Sequence, residues 1–555
     1  MKSLTNTKVT FLFLLITILS CLPVLAQTAI TAKEWQEDLR YLQATVHKDY
    51  PFLLRKISAA DFDAEVDKLY QQIPFLEAHE VTVGLARIVA LFKYGHTQIT
   101  YTTVANGTAL AVNLYEFTDG IFIEGAQLEH KAVIGAKVIA IEGIPIKKAL
   151  EMIRPVVPIE NEQYFKAFGL RFVTVPAVLH AQGVTSSLTE TITMTLEKEG
   201  RSFEHSFTSI PLDQISEEYN FTIPSETWIS ARDQSSTPLY FKDLNERLFL
   251  FEYLEDTKTV YARQSRVRNE TDETLASFYE RLFDFIDTHE VERLVYDVRH
   301  NGGGNNYLNK PFIKGLVRSD KLQKPGSLFV IIGRRTFSAA QNLVNEIDNY
   351  SSAIFVGEPT AENLNFYGDT RAETLPNSKI EAFLSFAWWQ DKAPWENADW
   401  LYPDVSVAMS FEDFITNKDP ILEAALNYDS SKMIVNPMEY LTELFVAGKM
   451  EFLRTETIRM FNDPNYNYFD FQNSFNSAGR RMMGGPNHAG AILILDMNVE
   501  LYPDSANAWS SLGDAHQKGG DIEKASAAFK KVIELDPQSE IAKHAEEMLI
   551  ALEKQ

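Results

Sequence analysis

The 555-residue chain is too long for one hydrophobic core and long enough for roughly three or four domains of about 150 residues. At 45% hydrophobic, 23% charged and 12% aromatic residues it has the profile of a folded globular protein, which excludes disordered and fibrous classes. A formal net charge of −24 repels phosphate backbones and anionic headgroups, and one cysteine excludes a disulfide framework, zinc ribbons and iron–sulfur sites.

Residues 1–26 read as a secretory signal. Lys2 and Lys8 precede an apolar run from Phe11 to Leu19, and Val24-Leu25-Ala26 forms a small-residue cleavage site before Gln27. The run is shorter than the roughly 18 residues of a membrane span, and Pro23 closes it. Cys21 is an alternative lipidation site, ranked second because Leu19 is an unusual occupant of such a box. Cleavage after Ala26 removes both lysines and the cysteine, taking the formal charge from −24 to −26. The expectation is an exported chain, periplasmic or secreted, with no membrane span.

From Thr31 to Phe92 the apolar spacing is helical: Trp35, Leu39, Leu42 and Val46 share a face, a second run follows Asp61, and a third spans Val81 to Phe92. After Tyr94-Gly95-His96-Thr97 the period moves towards two, with strands at Leu110–Leu114 and Gly120–Ile123. Ile134 to Ile146 reads as strand, Glu142-Gly143 turn and strand, followed by a helix from Lys147. Another strand pair flanks Lys198-Glu199-Gly200. An alternating region follows. Strands at Leu248–Tyr253, Thr259–Ala262, Leu294–Val298, Leu328–Ile332 and Ala353–Val356 are interleaved with helices at Thr274–Thr288 and from Ser338. That order predicts a mainly parallel sheet with ligands at its C-terminal edge. From about Pro437 the chain is helical. Trp509, Leu512-Gly513, Ala515, Gly519, Ala528-Phe529 and Pro537 fit one tetratricopeptide unit, and Ile492 to Pro503 fits the end of a degenerate one. One unit cannot bury its own face, so divergent units or another neighbour must cover it.

Two segments carry candidate chemistry. Ser338, in Thr336-Phe337-Ser338-Ala339-Ala340, follows a buried strand and opens a helix. A hydroxyl there sits at the sheet edge beside free backbone N–H groups, as a nucleophile beside an oxyanion site requires, although by itself Ser338 reads more simply as a helix cap. Asp297-Val298-Arg299-His300-Asn301-Gly302-Gly303-Gly304 brings backbone close to a ligand, but lacks both the dinucleotide spacing and a phosphate-loop lysine. Taken alone, the glycine triplet reads as a flexible turn. Neither H-E-x-x-H nor Gly-x-Ser-x-Gly occurs, and His180, His205, His289 and His300 show no ligand spacing. The aromatic run from Phe386 to Trp395 and Trp400 suits a peptide groove or core packing equally.

Together, Asp297-x-Arg299-x-Asn301-x-Gly303-Gly304 and the Thr-x-Ser-Ala-Ala segment resemble the core of the C-terminal processing (tail-specific) serine peptidases. Tyr94-Gly95-His96-Thr97 is similar to that family's upstream histidine motif, Ile134–Leu150 to its PDZ-like insert and Gly357-Glu358-Pro359-Thr360 to its strand-exit motif. The likeness spans about Thr31 to Val407. One branch of the family activates its serine with a lysine some twenty-five residues downstream. Here that place falls at Glu362-Asn363, and no lysine lies between Lys324 and Lys379. The tricorn-core branch uses a histidine and a distant glutamate, and Glu396-Asn397 before Pro403-Asp404 resembles its pattern. The resemblance implies Ser338 as nucleophile, His96 as general base and Glu396 as the carboxylate orienting it, with Gly303 and Ala339, beside Gly302, supplying oxyanion or substrate-binding N–H groups. Chemically, a serine needs a base near pKa 6.5, and a carboxylate fixes the imidazole tautomer. Three departures stand out: Gly95 where that branch has serine, Gln341 in place of a frequent glutamate, and Lys93-Tyr94 where an aspartate is common.

The resulting expectation is an α/β multidomain chain. It comprises a signal peptide (1–26), an N-terminal helical bundle (27–100), a PDZ-like β-rich insert (101–210), a ClpP/crotonase-like α/β peptidase core (211–430) and a C-terminal α-helical TPR-like region (431–555). The implied activity is cofactor-free and metal-free hydrolysis of peptide or protein substrates through an acyl-enzyme. The alternative is a weak or silent peptide- or glycan-binding protein on the same scaffold. The helical tail implies a protein partner or self-association, and no nucleic acid is implied.

Overall fold

The computed structural model describes residues 30–429 and 433–553, so the expected signal segment and Cys21 lie outside the described residues. Three helices open the fold: Ala32–Asp49, Ala59–Gln72 and Ala78–Ala90. Thr31 and Glu34 form a capping box that satisfies two free N–H groups at the first helix's start. Its apolar face, Trp35, Leu39, Leu42 and Val46, is buried. These helices do not stand apart from the following β-rich region, because their side chains and those of Ile123, Val138, Ile192 and Phe207 belong to one continuous core.

The β-rich middle is an antiparallel sheet in the spatial order Trp228–Ser230, Gly120–Gln127, Lys137–Ile141, Thr191–Lys198, Arg201–Pro211 and Thr108–Leu110. Val112–Phe117 folds back on Gly120–Gln127. The turns expected at Glu142-Gly143 and Glu199-Gly200 have positive φ at both residues, which matches the right-handed twist of the strands they join.

The central sheet begins with the antiparallel pair Phe249–Leu254 and Thr259–Gln264 and continues in parallel through Arg293–Asp297, Leu328–Ile332, Ile354–Gly357 and Val405–Ser406. Successive strand residues face opposite layers. Leu294, Tyr296, Leu328, Val330 and Ile332 pack towards the helices Leu275–Thr288, Lys310–Arg318 and Ala339–Tyr350. Val295, Phe329 and Ile331 face Pro420–Leu426. Covered on both sides, these strands read as unbroken apolar runs, as parallel strands do. Their C-terminal ends bring the glycine loop and the serine turn to one edge.

A further sheet has no counterpart in the sequence reading. Asn365–Thr374 and Glu381–Gln390 form a long hairpin, and Gln98–Ile99 pairs with Ala382 and Phe383. From Pro437 the chain forms stacked helices: Pro437–Val446, Met450–Phe461, Phe471–Met483, His488–Leu501, Ala506–Lys518, Ile522–Leu535 and Glu540–Leu552. The helices flanking Ala506–Leu535 cover the faces that one repeat leaves open. Tyr468 and Phe469 pack edge-on against Trp400 and Tyr402, joining this tail to the central region. Among the described residues no helix is long and apolar enough to cross a membrane.

Candidate active site

Leu328–Ile332 ends at Gly333, and a tight turn leads into Ala339–Tyr350. The turn is held from within: Thr336 Oγ1 accepts from Gly333 N–H at 3.1 Å and donates to the Val298 carbonyl at 3.0 Å. It is also tied to the neighbouring loops, since Phe337 N–H donates to the Asn301 carbonyl at 3.1 Å and Ala361 N–H to the Thr336 carbonyl. At its apex Ser338 has φ 58° and ψ −128°, a conformation that costs a non-glycine residue on the order of 1–3 kcal/mol. Ser338 makes no side-chain cap, so the simpler reading of this serine as a helix cap does not describe it. The half-buried residue projects a hydroxyl that makes no hydrogen bond among the described residues, while the Ala339 N–H opens the helix without an intrahelical partner.

The glycine loop is built to approach this serine. At Gly303, φ 91°, a Cβ would lie 2.6 Å from the Ser338 Cβ and 2.9 Å from the Ala339 nitrogen. The Gly303 N–H donates to Asn301 Oδ1 at 3.0 Å, so the expected oxyanion donor is already engaged and Gly303 serves as a spacer. Gly302 opens onto free space. Below the loop, Arg299 makes a two-pronged contact of 2.9 Å with Asp419 and pairs with Asp297, all buried. Asp297 in turn accepts from Tyr261 at 2.8 Å. These charged residues therefore brace the loop and leave the chemistry to its neighbours.

His96 arrives from the end of the helical region. Gly95 N–H donates to Glu160 Oε2 at 2.8 Å, Tyr164 donates its hydroxyl to the Gly95 carbonyl, and Thr97 Oγ1 donates to Ser385 on the unanticipated hairpin. A side chain at position 95 would collide with the Tyr164 ring at 2.3 Å, which accounts for glycine in place of serine there. The imidazole stacks on Phe337, the residue before the serine, at 4.5 Å between centroids, with Phe366 at 6.2 Å. Gln341 is fully buried and donates to Asn345, so it packs the serine helix.

The carboxylate beside His96 is Glu362. Its Oε1 lies 3.2 Å from His96 Nε2, and its Oε2 accepts from the backbone N–H of Ser338, so one buried carboxylate joins histidine and serine. Glu396, expected in that role, lies exposed in the loop after the hairpin. Its backbone N–H donates to the Ala393 carbonyl and its carbonyl accepts from Asn365 Nδ2, and among the described residues it makes no ion pair with His96. The physical reason is hydrogen bonding nearby: Thr360, Asn363 and Asn161 pin residues 360–363 to the backbone of Asp399 and Leu401 and turn Glu362 inward. The residue stands in the sequence where the lysine branch carries its base, but an inward-facing glutamate has no local signature.

Two more charges complete the cluster. Glu160 is buried behind Gly95, and Lys56 Nζ donates to Asn363 Oδ1 at 2.6 Å and to the Lys93 carbonyl at 2.9 Å while lying over the Tyr94 ring. Burial pushes His96 down, but the Glu362 charge, helped by Glu160, outweighs it, and the imidazole holds its proton more tightly than usual. Burial raises Glu362 against the opposing pull of His96. It also raises Glu160, to about 7, with the Glu362 charge adding to the effect. Lys56 is lowered by burial, against the attraction of Glu160. A half-buried base whose proton affinity is set by a buried carboxylate, near a strained and unpaired hydroxyl, is equipped for proton removal and nucleophilic attack.

A tetratricopeptide-repeat family model matches residues 506–539. No curated protein matches the chain. Among solved structures it is similar to mature CPAF complexed with lactacystin, at 12% identity over 72% of this chain and 99% of that one, TM-score 0.47. It is similar to the photosystem II D1 C-terminal processing protease at 12% identity over 71% and 96%, TM-score 0.33. A further similar structure is the tricorn protease, at 12% identity over 71% of this chain and 36% of that one, TM-score 0.35. The chain thus carries a tetratricopeptide repeat in its helical tail.

Proposed function

We propose that the chain is a serine hydrolase acting on peptide bonds, with Ser338 as nucleophile and the His96–Glu362 pair as its base. The observation that carries this reading is the strained Ser338 backbone with its uncapped, unpaired hydroxyl, since such strain persists where surrounding structure enforces it for use. The Oγ proton passes to His96, and Oγ forms a bond to the substrate carbonyl carbon. The resulting oxyanion is met by the Ala339 N–H at the positive end of its helix. Imidazolium then protonates the leaving amine, and water resolves the acyl-enzyme by the same route in reverse. Because Glu362 Oε1 lies against His96 Nε2, the nitrogen that accepts the Oγ proton, that contact must open before Nε2 reaches Oγ. Contacts of this kind tighten when substrate closes a site.

The β-rich region acts in this reading as a PDZ-like element that holds an extended peptide by strand addition. The tetratricopeptide tail offers a protein-binding surface, and residues 1–26 direct export to the periplasm or beyond. A silent peptide- or glycan-binding scaffold is the competing reading, favoured by the engagement of the Ser338 N–H with Glu362. A serine-directed fluorophosphonate decides between them. Labelling of wild type that is lost in Ser338→Ala supports the hydrolase, whereas equal labelling of both, or none of either, supports the silent scaffold.

A further inference from the structure

One short segment, 160–164, grips both members of the His96–Glu362 pair. Glu160 accepts the Gly95 N–H at 2.8 Å, and Tyr164, four residues on, donates its hydroxyl to the Gly95 carbonyl at 2.9 Å. Both peptide groups flanking Gly95 are therefore held, and the second of them is completed by His96 itself. Between the two grips, Asn161 donates to the Thr360 carbonyl at 3.2 Å and accepts from the Tyr164 N–H at 2.9 Å. The same segment thus fixes the loop that turns Glu362 inward. Lys56 makes a parallel tie, from the Lys93 carbonyl to Asn363 Oδ1. With the Tyr164 ring filling the space of a Cβ at position 95, this loop can be anchored only through its backbone.

A neutral acceptor would suffice for one N–H, yet position 160 carries a carboxylate that is only 7% exposed, with Oε1 lacking a hydrogen-bond partner. A second carboxylate buried near Glu362 is costly unless cations compensate it. Burial and the Glu362 charge push Glu160 towards its protonated form, while Lys56, the Gly95 N–H and His96 draw it towards the ionised one. Tyr94 and Tyr164 also face it, with hydroxyls that burial keeps protonated. On the side of the neighbouring cleft lie Arg87 and Lys93 from the third helix and its end, Asp399, and Arg154 paired with Glu162. At His96 burial lowers the proton affinity, and Glu362, then Glu160 and Asp369, raise it.

We propose that Glu160 is a positioning residue for the base: through the Gly95 backbone it orients the imidazole towards Glu362, and through its charge it is a second carboxylate holding the imidazole's proton. The role rests on the hydrolase reading for its catalytic meaning. Glu160 touches no reacting atom. When Ser338 passes its proton to His96, two carboxylates stabilise the imidazolium, and Lys56 offsets their mutual repulsion.

The test separates charge from placement. The full chain with isotope-labelled histidine is titrated by NMR, with the His96 signal identified by its loss in His96→Gln, and the pH profile of fluorophosphonate labelling at Ser338 is measured in parallel. Glu160→Gln keeps an oxygen for the Gly95 N–H but removes the charge. The His96 midpoint is expected to fall by about one pH unit, the lower end of what a nearby opposite charge does, and the labelling midpoint falls with it. Tyr164→Phe removes one hydrogen bond and no charge, so the labelling plateau drops roughly fivefold while the midpoint stays. Glu160→Asp keeps the charge on a shorter arm and restores most of the midpoint. Thermal melts check that each variant is folded. Should Glu160→Gln not fold, Glu160→Ala, whose vacated space opens to the cleft, gives the same charge-free reading. A His96 midpoint within about 0.2 units of wild type in the folded charge-free variant, or an equal fall in Tyr164→Phe, overturns the proposal. An unlabelled wild type overturns the hydrolase reading instead, and the NMR midpoint distinguishes the two failures because it needs no activity.

Discussion

Glu362→Gln tests whether the carboxylate found beside His96 sets its basicity. The substitution keeps size and an oxygen acceptor for the Ser338 N–H but removes the charge 3.2 Å from Nε2. At an effective dielectric of about 20, two unit charges at that distance interact by ~5 kcal/mol, an upper bound because the imidazole retains one-fifth of its exposure and Glu362 is itself raised towards protonation. Burial, no longer opposed by the Glu362 charge, then pulls the imidazole downward. In wild type the fluorophosphonate rate rises as pH climbs through the elevated His96 value, because only neutral imidazole accepts the serine proton. In Glu362→Gln the midpoint moves to lower pH, and the plateau rate falls by roughly 10²-fold as the imidazolium loses its partner. Glu396→Gln, altering an exposed loop residue, leaves both unchanged. An unshifted midpoint in Glu362→Gln, or a shift in Glu396→Gln instead, refutes the assignment.

The Ser338 strain predicts opposite effects on stability and labelling: Ser338→Gly relieves a positive φ and is more stable than Ser338→Ala by about 1 kcal/mol in denaturant titrations, although neither is labelled. Equal stability of the two would remove the argument from strain. Gly303→Ala places a methyl 2.6 Å from the Ser338 Cβ at φ 91°, so it lowers the melting temperature and abolishes labelling, with an expected cost of about 1–3 kcal/mol. Near-normal melting with full labelling would show that the loop does not need to approach so closely. Glu124 is fully buried, and burial raises it from 4.5 to about 7 against hydrogen bonds from Thr222 and Ser230. The folded state thus holds this proton between about pH 4.5 and 7 while the unfolded chain has lost it. Its contribution is present at low pH, declines across that window by ~1.4 kcal/mol per unit and levels above it. Relative to Glu124→Gln, wild type therefore loses stability from pH 4.5 to 7, and a constant difference would mean that the carboxylate is ionised in the fold.

Where the sequence was legible, local pattern and tertiary environment agreed. Residues 294–296 and 328–332 form apolar strand runs because helices cover both faces, and Glu142-Gly143 and Glu199-Gly200 announce turns whose two residues both take positive φ. The hairpin 365–390 was missed for the converse reason. Its partner is Gln98–Ile99, nearly three hundred residues away, and Gly368 and the positive φ of Asp369 interrupt its alternation, so no window of sequence contains the cause of its pairing. The site divides along the same line. Ser338 lay where a buried strand turns into a helix, a position readable from neighbours, and His96 closed a helical segment. The carboxylate could not be read that way, since Glu362 and Glu396 are both acidic residues in irregular chain. What separates them is which backbone Asn161, Asn363 and Thr360 hold. Those three side chains draw 399–401 against 360–363, turning Glu362 towards His96 and leaving Glu396 outside. The proton affinity of His96 is thereby tied to amide hydrogen bonds that touch neither serine nor histidine. It follows that Asn161→Ala, which deletes two of these bonds, should move the labelling midpoint in the same direction as Glu362→Gln but by less, because the charge remains and only its placement is loosened.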